Sequence, residues 1–107
     1  WRSYIANYIL NKLNMKILFT SPTVFQKRNF HNLLNDFEDE VPVYRDTEKI
    51  IEILETLKLY KSKKKLLKNL LICYEKLIEN NFFHKKKMKL IKMWCSDVNK
   101  IDKHFII

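Results

Sequence analysis

Three histidines and two cysteines are the residues here best suited to metal or nucleophile chemistry: His31, His84, His104, Cys73 and Cys95. A zinc site needs ligands gathered at short spacing, for example two histidines one helical turn apart. No pair of these histidines has that spacing, and Cys73 and Cys95 stand 22 residues apart with no His or Cys beside them. The carboxylates near residue 40 lack the Asx and Gly positions of a calcium loop. Glycine is absent from the whole sequence, which removes phosphate-cradling loops, dinucleotide fingerprints and the nucleophile elbow together. The expectation is a non-enzyme with no catalytic residues, no metal site and no cofactor.

Lysine is the remaining chemistry-bearing residue, and its placement is uneven. Residues 1–35 carry five basic groups and no acid, whereas residues 36–56 carry eight acids and two bases. Residues 57–93 then carry twelve lysines against two acids, and the last stretch is neutral, giving the overall +9. Within the basic block, Lys63-Lys64-Lys65 and Lys85-Lys86-Lys87 fall in the first turns of expected helices. Cations oppose the helix dipole there, each at a cost of a few tenths of a kcal/mol. Such placement fits helix starts that face a polyanion, where lysine and free backbone N–H groups meet phosphate together. Lys61, Lys68 and Lys89 extend the two clusters. Tyr60, Phe82 and Phe83 lie close enough to stack on bases, although core packing is the commoner use of such aromatics.

The elements that must position these residues are helices. A β-domain of this size needs tight hairpin turns, which favour glycine. Apolar spacing of three and four residues marks about five helices. The first runs from about Ser3 to Leu18 through Ile5, Tyr8, Ile9 and Leu13. Ser21 and Pro22 open a second, striped by Phe30, Leu33, Leu34 and Phe37, with His31 half-buried beside the stripe. Pro42 disfavours helical angles at Val41, so residues 39–45 are expected to be a loop. Asp46 or Thr47 caps a third helix with Ile50, Ile53, Leu54 and Leu57. Ser62 caps a fourth, which ends at Asn80-Asn81, asparagine being the best glycine substitute at a left-handed cap. The fifth carries Ile91, Trp94, Cys95 and Val98, and the tail from His104 to Ile107 is apolar enough to pack back. Short links imply antiparallel neighbours. The expected fold is all-α: a compact orthogonal or up-and-down bundle forming one domain over residues 1–107.

Composition adds context. The chain has eighteen lysines but three arginines, and little alanine or proline, a balance expected of an AT-rich genome. Trp1 in place of an initiator methionine suggests a processed chain or a segment of a longer one. No apolar run reaches the roughly 20 residues of a membrane span. Both cysteines fall on apolar helical faces, so buried free thiols are expected, in a reducing compartment or an organelle interior such as a mitochondrion or the nucleus.

Leu90-Ile91-Lys92-Met93-Trp94, with Ile53, Leu54, Leu57, Leu66-Leu67 and Ile72 upstream, resembles the N-terminal helical domain of the transcription elongation factor S-II family. That resemblance implies a small bundle that docks short motifs of partner proteins. Ile72-Cys73 stands where that family has isoleucine-glycine, and the interval to the tryptophan is about one helical turn shorter. The leading expectation is a basic subunit of an RNA-containing assembly, such as an organellar ribosome. It would contact RNA or another polyanion through the lysine-rich helix starts and neighbouring protein subunits through its apolar faces. The alternative is a peptide-docking module with Met93 and Trp94 beside its groove.

Overall fold

The computed structural model describes residues 1–106. Those residues are all-helical, with no strand among them. The α-helices are α1 (Arg2–Lys12), α2 (Leu33–Glu55), α3 (Leu66–Glu79) and α4 (Lys86–Ile101), and a single 3₁₀ turn (Lys63–Lys65) leads into α3. The core gathers where α1, the second half of α2 and α3 meet: Ile5, Ile9, Ile50, Leu54, Tyr74 and Leu77 are all buried there. Each fully buried aliphatic side chain contributes about 1.5–3 kcal/mol of transfer free energy. From the periphery, Tyr8 ties α1 to the end of α2 by donating from its hydroxyl to the Leu57 carbonyl (3.3 Å).

Asparagine does the work of the missing glycine. Asn14 after α1 and Asn81 after α3 take φ of 54° and 64°. At each helix end two backbone bonds close the turn: Asn14 N to Asn11 O with Met15 N to Leu10 O, and Asn81 N to Ile78 O with Phe82 N to Leu77 O. This is the Schellman pattern, which satisfies the terminal carbonyls. The expectation of a left-handed asparagine after the Leu66–Glu79 helix matches what is found at Asn81.

Four α-helices stand where about five were expected, because the second and third are one. α2 runs unbroken through residues 39–45, with Pro42 inside it. Proline removes the N–H that would bond the Glu38 carbonyl and strains the turn before it; Glu38 is exposed, so water can take that role. The start of α2 is set by Asn32, whose side chain accepts from Leu34 N at 3.0 Å, and not by Ser21-Pro22. The acidic run from Asp36 to Glu40 thereby sits in the first two turns, where negative charge is favoured by the helix dipole. Residues 15–32 are irregular and exposed throughout, so the helix expected from Ser21 is absent. The radius of gyration is 16.2 Å, against about 13 Å for a close-packed domain of this length. The excess comes from that exposed segment and from the first half of α2, so the expected compactness holds only for the core.

Candidate functional site

The two lysine clusters do not form one surface. The 3₁₀ turn and the start of α3 carry Lys63, Lys64, Lys65 and Lys68, with Lys61 just before, while Lys85, Lys86, Lys87 and Lys89 open α4. α3 is 14 residues long, about 21 Å. It separates the clusters, because the short link after Glu79 brings the start of α4 to the far end of α3. Ile106 N bonds Lys64 O at 2.6 Å, so the tail packs back beside the first cluster.

Local partners occupy much of this chemistry. Lys65 Nζ lies 4.2 Å from the Tyr60 ring centroid and Lys68 Nζ lies 5.5 Å from it, so cations already cover that ring. The Tyr60 backbone is pinned from below by fully buried Asn69, which accepts from Tyr60 N and donates to Tyr60 O, both at 2.8 Å. At the second cluster, His84 Nδ1 accepts from Lys86 N at 3.2 Å, just before the first turn of α4. Phe82 and Phe83 pack against the core, each edge-on to Trp1 at 6.0 Å, and Phe83 lies 5.3 Å from Tyr74. They are half-buried aromatics engaged in core packing.

Met93 and Trp94 behave differently. Both point outward from α4, each more than half exposed. Trp94 lines a groove of about 510 Å³ with Leu70, Tyr74, Leu90 and Ile91, and with Arg2 and Lys87 contributing the charge. An apolar body carrying negative charge at its edge fits that lining. Arg2 was unreadable as a site residue, since nothing local to it signals a groove formed with α3 and α4. Leu90 was readable in principle: Leu90, Trp94 and Ile101 fall off the stripe through Cys95.

The cysteines are free and buried. Burial pushes the Cys73 thiol up to about 12 and raises Cys95 in the same direction, so both are neutral and poor nucleophiles. His31 is not half-buried beside a core stripe. It is exposed and pairs with Asp36 at 2.6 Å, because the helix expected to shelter it does not form. Among the described residues, no group of three His, Cys, Asp or Glu is placed to hold a metal ion. No helix among them is long and apolar enough to cross a membrane.

A family model described as STELLO glycosyltransferases matches residues 1–107. No curated protein and no solved structure matches the chain. The family match overturns the RNA-assembly reading and its ribonucleoprotein attributes, and equally the elongation-factor-like docking module. It also overturns the expectation of a non-enzyme. The family match also overturns the mitochondrial or nuclear interior as the expected location. The physical cause of the error lies in the lysines: their charge is real, but they form two patches at opposite ends of α3 and not one surface. Matched along its whole length, the chain belongs to the STELLO glycosyltransferase family.

Proposed function

We propose that this chain has a glycosyltransferase-related function, as a helical part of an enzyme that moves a sugar from an activated donor to an acceptor. The observation that carries this reading is the family match along residues 1–107. The bundle's own contribution is a packed scaffold with two outward-facing helix surfaces, one on the first half of α2 and one on α4. Its place of work is the Golgi membrane.

The test is direct. Purified protein carrying this chain is incubated with a panel of labelled nucleotide sugars, and sugar transfer and nucleoside diphosphate release are followed. Turnover of at least one donor is expected. It should fall away in a Leu77→Ala variant at temperatures where the wild type is folded and the variant is not. Folded wild type that turns over none of the donors would overturn the reading.

A further inference from the structure

α2 has apolar residues on two different sides. In its second half Asp46, Ile50 and Leu54 face the core. In its first half Leu33, Leu34, Phe37, Val41 and Tyr44 are all exposed, Leu33 by 77%. At 3.6 residues per turn the second set lies about 150° around the helix from the first. The core therefore cannot cover it. Glu40 and Asp36 line one edge of this stripe and Glu38 the other; residues 33–44 hold four acids and no base.

α4 repeats the arrangement with the opposite charge. Cys95, Met88 and Ile91 face inward, while Leu90, Met93, Trp94 and Ile101 are exposed, Ile101 by 88%. The outward set is turned about 130° from the inward one. Residues 86–101 hold five lysines and one acid, Asp97, which is paired with Lys100 at 3.0 Å. Two apolar stripes of similar length, one edged by acids and one by cations, are thus left bare on one molecule. They do not meet within it: α2 packs on α1 and α3, and α4 packs on α3.

We infer that the two stripes pair between two copies of this chain, the acidic first half of α2 on one copy lying against the lysine-edged face of α4 on the other. A two-fold axis makes the contact twice, once in each direction, so the assembly closes as a dimer without leaving a free end. Doubling matters, because one helix-on-helix contact alone falls at the small end of specific interfaces. Burying both stripes removes exposed apolar surface larger than scattered single residues would present. The flanking charges set orientation and reject like-charged pairings.

Charge reversal tests this on the protein carrying the full chain. Glu38→Lys with Glu40→Lys alters only the α2 edge, and Lys86→Glu with Lys89→Glu only the α4 edge; all four positions are exposed, so folding should survive, as circular dichroism would check. Sedimentation velocity over a concentration series should show a wild-type dimer and at least about tenfold weaker association for each reversed protein alone. Mixing the two reversed proteins should restore the dimer, since both reciprocal contacts are complementary again. Wild type that stays monomeric at every concentration, or a dimer indifferent to both reversals, would overturn the inference.

Discussion

The two halves of α2 share one backbone and live in different surroundings. From Asp46 onward the helix is part of the core: Ile50 is fully buried and Leu54 is 2% exposed. Before Pro42 the same helix projects, and its apolar residues meet solvent. Helix formation in the second half is supported by packing. In the first half it rests on local devices: the Asn32 cap, the acids in the first turns and continuity with the packed half. A regular helix can thus be read from hydrogen bonding alone, whereas its use depends on what lies beside it.

Truncation should separate the halves most strongly. Leu54→Ala should destabilise the protein by about 2–5 kcal/mol, read from urea unfolding, because it opens a cavity in packed surroundings. Phe37→Ala, on the exposed stripe, should change monomer stability by less than about 0.5 kcal/mol. Comparable losses from both would erase the distinction. A smaller effect is expected at Asn69, which holds the loop following the buried half. Asn69→Ala leaves the Tyr60 N–H and carbonyl without their partners, at a cost of about 1–3 kcal/mol in the same measurement; a change near zero would mean that water replaces it freely.

The junction gives the next prediction. Pro42→Ala restores an N–H and relieves the ring's clash, so it should raise helicity and stabilise the projecting half by on the order of 1 kcal/mol. Far-ultraviolet circular dichroism would show this, and an unchanged or reduced signal would mean that the bend at Pro42 is needed. The smallest effect concerns Asp46. The Arg45 guanidinium, bonded to it at 2.7 and 3.0 Å, holds the Asp46 carboxyl below its ordinary range. A depressed carboxyl adds stability that is present above about pH 4 and fades as pH falls through the lowered value. Unfolding midpoints taken from pH 6 down to pH 2 should therefore drop less steeply in Arg45→Gln than in wild type.

Much of the core was legible in the sequence. The three- and four-residue spacing of Ile5, Ile9 and Leu13, and of Ile50 and Leu54, marked buried faces, and Asn81 marked a helix end. The errors share a cause. Ser21-Pro22 is a strong local start signal, yet no surface is available for the stripe through Phe30 and Leu33 to cover. Pro42 is a strong local stop signal, yet the buried face from Asp46 to Leu54 and the cap at Asn32 favour one continuous helix. In both places tertiary context outweighed local chemistry. Of the residues lining the groove on α4, Trp94 is one that the sequence singled out; Met93, singled out with it, is exposed but does not line the groove, and Arg2 and Tyr74 reach it through packing among three helices. The family could not be read from charge, because lysine clusters of this kind suit several polyanion-binding roles equally well.

That one helix serves as core at one end and as an outward face at the other is tested most directly by hydrogen–deuterium exchange along α2. At dilute protein, amides of residues 46–55 should exchange slowly, close to the global unfolding limit, while those of residues 33–41 exchange much faster through local opening. Raising the protein concentration should slow residues 33–41 and leave residues 46–55 unchanged. Equal protection along the whole of α2 at every concentration would contradict the account.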